Sequence, residues 1–310
     1  MLKIGIVGLG SIAQKAYLPY MRQLAEVEWH LFTRNQEVLH QTAHLFSHVK
    51  TYASLEELAD ATLDGIFIHT ATVSHREIVA LFLSRGIPVY VDKPVTQNYE
   101  ETKELYDLAS IHQTFLMVGF NRRFAPRVAA LKEETNKTKI YVEKNDVNRP
   151  GDLVFKVFDF FIHPLDTAIF LMDNPPKRAW FHYHKNNGLL SQVTVTLVSK
   201  TETVIVGMNL QSGSRREIVD VQLPEKTLHV EELSDLTIYE DSTQTKQNYS
   251  AWDRTLYKRG FESIVLAFIE AVKTGVNPVS ETSSLLSHYL CQQIVDAQSD
   301  MGELSVLLPK

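Results

Sequence analysis

The chain is 310 residues long, 44% hydrophobic and 22% charged, an ordinary globular composition that excludes a disordered or fibrous chain. A net charge of −6 and a pI near 6.1, with no basic stripe, exclude a nucleic-acid-binding face. The single cysteine, Cys291, excludes an internal disulfide and suits a reducing cytoplasm, and no apolar run reaches the length of a membrane span.

The first element, Ile4-Gly5-Ile6-Val7, reads as a buried strand with no signal-peptide pattern before it, which points to a cytoplasmic protein. It runs into Gly8-Leu9-Gly10-Ser11-Ile12-Ala13, a G-x-G-x-x-A turn that starts a helix. Gly8 allows the tight turn, Gly10 lets backbone approach a pyrophosphate, and Ala13 keeps the helix close to the strand. The N–H groups and dipole of the helix N-terminus favour that anion. Ile12, Tyr17, Leu18, Met21 and Leu24 recur at helical spacing in spite of Pro19. The next strand, Val27 to Phe32, ends at Thr33-Arg34, and Thr33 lies 23 positions beyond Gly10, where a dinucleotide fold places its ribose-reading residue. An acid there would repel a 2′-phosphate, whereas a hydroxyl and a guanidinium suit one, so the sequence favours NADP(H), with NAD(H) as the alternative. Arg34 also reads as a solvated loop residue, with Asn35 capping the following helix.

Asp64 to Thr70 is a buried strand, Ser74 caps a helix that stops at Gly86, and Ile87 to Val91 is the next strand. A helix opened by Asn98 and Tyr99 and a strand from Thr114 to Val118 complete the alternation. After a helical stretch near Arg127 to Glu134, β-branched runs at 140–142, 192–198, 203–206, 218–221 and 227–230 read as antiparallel strands. A helix at about 159–172 interrupts them, and two more, 261–273 and 281–298, end the chain. The fold class is α/β: residues 1–120 form a doubly wound parallel Rossmann sheet, and 121–310 form an α+β domain with an open, mostly antiparallel sheet.

Two groupings carry chemistry. Asp92-Lys93-Pro94 stands at the carboxyl end of a parallel strand, where a lysine can meet a substrate oxygen; the same tripeptide also reads as a surface turn. Asp159, His163 and Asp166 share one helical face, with Pro164 placing the helix start close by. A histidine is suited to exchanging a proton while a carboxylate orients it, although an Asp and a His among phenylalanines also read as a structural pair.

The order and separation of Gly8 to Ala13, Asp92-Lys93-Pro94 and Asp159-x-x-x-His163-x-x-Asp166 resemble the Gfo/Idh/MocA family of nicotinamide-dependent oxidoreductases over nearly the whole chain. Thr70 to His75 is similar to the family's T-P-N-x-x-H loop, and Ala13 to Pro19, Val91 to Pro94 and Met117 to Pro126 resemble the MviM-like branch, named for virulence factors. The resemblance implies Lys93, Asp159 and His163 as catalytic residues. It implies a dinucleotide against Gly8, Gly10, Ser11, Ile12, Ala13, Thr33, Arg34, Thr70, Ala71, His75, Lys93 and Asn121. Lys15, Tyr17, Arg122, Arg123 and Asp159 are implied around the substrate, with the two arginines recognising a substrate anion or pairing with acids such as Asp159. No metal is implied. The implied reaction interconverts a secondary alcohol and a ketone on a sugar-like or polyol substrate, in a homo-oligomer, dimer or tetramer, built through the C-terminal sheet. Alternatives are a non-catalytic NADPH-binding regulator and an imine-type reductase. Two departures stand out: Asp92 replaces the usual Glu, and Gly151 to Phe155 replace a glycine run before the catalytic Asp.

Overall fold

The structure, a computed structural model, describes residues 1–309 and divides into two compact units, Met1–Gly119 with Phe261–Glu281, and Phe120–Gly260 with the residues from Thr282 onward. In the first unit, β1 (Leu2–Val7), β2 (Val27–Phe32), β3 (Val49–Thr51), β4 (Gly65–Ile68), β5 (Val89–Asp92) and β6 (Leu116–Gly119) form one sheet in the order β3-β2-β1-β4-β5-β6. Every pairing is parallel. Ile4, Ile6, Phe67, Ile68, Val89 and Val91 are fully buried, as an apolar run must be when helices cover both faces. The strand order reverses between β1 and β4, which leaves a crevice at their carboxyl ends.

Caps fix the intervening helices. Asn35 Oδ1 accepts the backbone N–H groups of Glu37 and Val38, and Asn98 Oδ1 accepts that of Glu101. Ser74 forms no such cap; its hydroxyl donates to the Ala71 carbonyl, and a 3₁₀ turn over Thr72–Ser74 leads into the helix His75–Leu83. The helix after the glycine turn contains a π turn, Ala13–Tyr17, before α geometry resumes at Leu18–Met21 with Pro19 in its first turn. The extra residue in that turn rotates the face, so Ile12 is exposed while Tyr17 is buried. The helix Phe261–Thr274 packs on this unit through Phe268, whose ring centroid lies 4.6 Å from Phe67 and 5.7 Å from Tyr90.

The second unit carries β7 (Lys139–Lys144), β8 (Arg178–Asn186), β9 (Leu189–Val198), β10 (Thr203–Asn209), β11 (Glu217–Gln222), β12 (Thr227–Glu231), β13 (Asp235–Glu240), β14 (Thr243–Gln247) and β15 (Met301–Leu304). Their order is β14-β13-β12-β11-β7-β10-β9-β8-β15, and the one parallel pairing, β7 with β10, makes the sheet mixed rather than antiparallel throughout. Val193, Val195 and Leu197 are buried in alternation with polar neighbours, so one face of the sheet is covered. A helical run begins at Leu153, behind the Asp152 cap, passes through a π turn at Lys156–Phe161 and continues as the α-helix Ile162–Leu171. It therefore starts well before Pro164, which occupies the first turn of the α segment where a missing N–H is tolerated. Among the described residues, no helix is long and apolar enough to cross a membrane.

Candidate active site

The crevice of the first unit is a cleft of about 630 Å³ lined by Gly8, Gly10, Thr33, Arg34, Thr70 and Ala71 among others. The Gly8 N–H donates to the Phe32 carbonyl at 3.0 Å, and its φ of +92° is left-handed. A Cβ there would stand 2.9 Å from the backbone of His69 and Thr70, so the turn requires glycine. A Cβ on Gly10 would meet nothing within 4 Å, so the open space in front of it is room for a ligand phosphate. Ser11 and Ile12 are exposed at the first turn of the helix and Ala13 is buried behind it. Thr70 Oγ1 is buried with no hydrogen-bond partner among the described residues. Open backbone, a helix N-terminus and an unsatisfied hydroxyl fit a dinucleotide. Arg34 is exposed at the cleft's edge while Asn35 caps the next helix, so both features read from this turn coexist.

Lys93 follows β5 directly and is half-buried, and Asp92 before it is 9% exposed. Tyr17 Oη donates to Asp92 Oδ1 at 2.6 Å, His69 Nδ1–H donates to Oδ2 at 3.0 Å, and the hydroxyls of Tyr17 and Tyr90 lie 2.8 Å apart. Burial pushes the Asp92 carboxyl up, but His69 and Tyr17 outweigh it and hold the group below the usual carboxylate range. Tyr17 is only 1% exposed and stacks at 4.1 Å on the His69 ring, so it supports Asp92 from within the core. Lys15, by contrast, is exposed. His75 is buried, its Nδ1 facing the carbonyls of Pro94 at 3.0 Å and Val95 at 3.2 Å, and its Nε2 the Thr70 carbonyl at 3.1 Å. It thereby staples the segment after Lys93 to the cleft wall, and burial pushes its pKa down. The sequence reading missed His69, which directly follows β4, and Tyr90 on β5; buried at and beside these strands, they give no local sign of a shared carboxylate.

In the second unit, Asp159 lies in the π turn and His163 in the α segment after it, both half-buried. Arg122 Nη1 donates to His163 Nδ1 at 2.8 Å. A guanidinium has only hydrogens to offer, so Nδ1 is unprotonated and the neutral ring carries its proton on Nε2. The rest of Arg122 grips Glu217, with Nε in contact and Nη2 at 3.0 Å. Lys144 at 3.4 Å and Arg259 at 3.8 Å approach the same carboxylate. Burial raises the Glu217 pKa, and Arg122 and then Lys144 override that, leaving it at about 2.

Arg123 forms a bidentate pair with Asp166, at 2.5 and 2.9 Å, and also donates to Ser283 Oγ at 2.9 Å. Both arginines are thus committed to buried ion pairs, with Glu217 and Asp166. Asp166 is held by Arg123 and Ser287. Asn121 Nδ2 donates to the Arg259 carbonyl at 2.8 Å, so its amide serves the second unit. Glu217 was legible in principle: with Val219 and Val221 it lies on the buried face of an alternating strand, a place where a carboxylate demands a cation.

A glycine cradle at the switch point of a parallel sheet, followed by an α+β unit carrying a positioned histidine, defines a dinucleotide-dependent oxidoreductase. The profile of the oxidoreductase family with an NAD-binding Rossmann fold matches residues 2–120. The crystal structure of a Gfo/Idh/MocA family oxidoreductase from Vibrio cholerae is 32% identical, covers 95% of this chain and 98% of that one, and superposes with a TM-score of 0.88. A dehydrogenase (MviM) from Clostridium difficile is 29% identical over 95% of this chain and 99% of its own, with a TM-score of 0.87. An inositol 2-dehydrogenase of Rhizobium meliloti is 28% identical over 139 residues, 41% of this chain and 42% of that protein. The chain belongs to the Gfo/Idh/MocA family of oxidoreductases, and within it is MviM-like.

Proposed function

We propose that the chain is an NADP(H)-preferring enzyme that interconverts a secondary alcohol and a ketone on a sugar-like or polyol substrate. The observation that carries the cofactor reading is the cleft edge at Thr33-Arg34, where a guanidinium replaces the acid that would read a free ribose hydroxyl. Similarity to an inositol 2-dehydrogenase supports a polyol. When bound, the nicotinamide supplies or accepts hydride at the reacting carbon.

Lys93, Asp159 and His163 are the groups we assign to the substrate. The motif alone gives proton exchange to His163 and polarisation of the oxygen to Lys93. The Arg122 contact on Nδ1 favours the reverse, because a second proton on that ring would face a guanidinium. The oxidising direction requires Lys93 as the free amine: hydride leaves the carbinol carbon, the hydroxyl proton passes to that amine, and His163 Nε2–H donates a hydrogen bond to the same oxygen. Asp159 orients His163. Lys93→Met should lower turnover by about 10²-fold or more with NADPH affinity kept. His163→Asn, whose amide still donates, should retain more turnover than His163→Ala. Near-normal turnover of Lys93→Met on a verified substrate would defeat the assignment.

A further inference from the structure

Positive charge outruns negative charge where β7 ends. Glu217 is shared by Arg122, Lys144 and Arg259. Two residues beyond Lys144, Asp146 is in turn shared by Arg215 at 3.0 Å and Arg149 at 3.8 Å. Lys156 is only 7% exposed, and its ammonium rests 4.1 Å from the centre of the Phe160 ring and 5.8 Å from that of Phe155. The cations outnumber the carboxylates even when Asp159 and Glu232, whose Oε1 accepts the Glu217 N–H, are counted. Such a surplus is costly in a partly dry site, and burial together with Arg122 already pushes the Lys144 ammonium down.

Three of these cations, Lys144, Arg149 and Arg215, line a cleft of about 230 Å³ together with Asn145, Asp146 and Phe160, so cations outnumber the single carboxylate in its wall. That volume is room for a charged group and a few carbons. Phe160 is the chain neighbour of Asp159 and stands in the π turn that leads to His163, so the cleft adjoins the catalytic helix. We infer that this cleft binds an anionic group of the substrate, a carboxylate or phosphate borne by the polyol whose carbinol is oxidised. The inference rests on the polyol oxidoreductase reading above. Two exposed arginines can reach such an anion while Asp146 holds them apart from it in its absence. If these cations served only to clamp the loops around Asp146, their loss would change stability without changing the choice of substrate.

The test uses the full chain. Calorimetric titration with inorganic phosphate should show saturable binding, weakened about tenfold or more in Arg149→Gln/Arg215→Gln. Both side chains are more than half exposed, so the variant should fold, which circular dichroism checks. Asp146→Asn removes the competing carboxylate and should tighten phosphate, whereas a clamp would lose its anchor and gain no affinity. In parallel, kcat/KM is compared for D-gluconate, D-glucitol 6-phosphate and neutral D-glucitol. The wild type should prefer one acid form, which identifies carboxylate or phosphate, and the acid-to-neutral ratio should collapse in the double variant. Phosphate binding that follows this mutational pattern, with no turnover of any polyol, would support the anion cleft and sink the proposed reaction. Turnover of neutral D-glucitol equal to that of both acids, with no phosphate binding, would overturn the cleft and leave the reaction standing.

Discussion

Two buried carboxylates, one in each unit, are kept ionised by opposite means. Asp92 is held by the Tyr17 hydroxyl and the His69 imidazole, whereas Glu217 is surrounded by the side chains of Arg122, Lys144 and Arg259. A hydroxyl and an imidazole satisfy the two carboxylate oxygens of Asp92. Cations satisfy Glu217 and exceed it, leaving a positive field beside His163. The first arrangement braces the residue before Lys93; the second places a guanidinium nitrogen on the His163 ring.

Neutralising each carboxylate in place sharpens this contrast. Glu217→Gln leaves buried cations without their anion and should destabilise the fold by about 3–5 kcal/mol. Asp92→Asn keeps acceptor oxygen for Tyr17 and should cost about 1–2 kcal/mol. Urea unfolding of the two variants checks the ranking; equal losses would break it.

Acid titration separates the groups further. His288 is fully buried, its Nδ1–H donating to the Ser284 carbonyl at 2.8 Å, and burial pushes its pKa from 6.5 to about 4. The unfolded chain therefore takes that proton first, so this contribution is whole above pH 6.5 and is lost as pH falls towards 4. Glu217 is depressed from 4.5 to about 2, so its contribution is whole above pH 4.5 and is lost between there and pH 2. The urea midpoint should thus fall in two stages. His288→Gln should flatten the upper one and Glu217→Gln the lower, and unchanged slopes would contradict both assignments.

The parts of the fold that were legible were those with a local cause. The glycine turn, the continuous apolar strands of the parallel sheet and the Asn35 and Asn98 caps each depend on neighbours within a few residues. The sequence does not announce strands β3, β8, β13, β14 and β15. In β8 the buried Ala179, Phe181 and Tyr183 alternate with Arg178, His182, His184 and Lys185, which look like a polar loop, and all of β14 is exposed. The two π turns leave no mark in a 3.6-residue period; Ile12 is exposed beside the first, and the second places Pro164 mid-run. Lys93, Asp159 and His163, the residues we propose to meet the substrate, stand in motifs that are visible in the sequence. Their supports were not, because Arg122 meets Glu217 from 95 residues away and Tyr17 meets Asp92 from 75.

We propose above that a dinucleotide lies in the Gly8–Gly10 cleft with Arg34 reading its 2′-phosphate. Trp29 is buried in β2, the strand that ends at this cleft, and offers a fluorescence reporter. Titration with NADPH and NADH, following tryptophan quenching in the wild type and Arg34→Ala, tests the claim directly. NADPH should bind more tightly than NADH and weaken about tenfold or more in the variant, with NADH little changed. No binding of either nucleotide, or an NADPH affinity indifferent to Arg34, would contradict it.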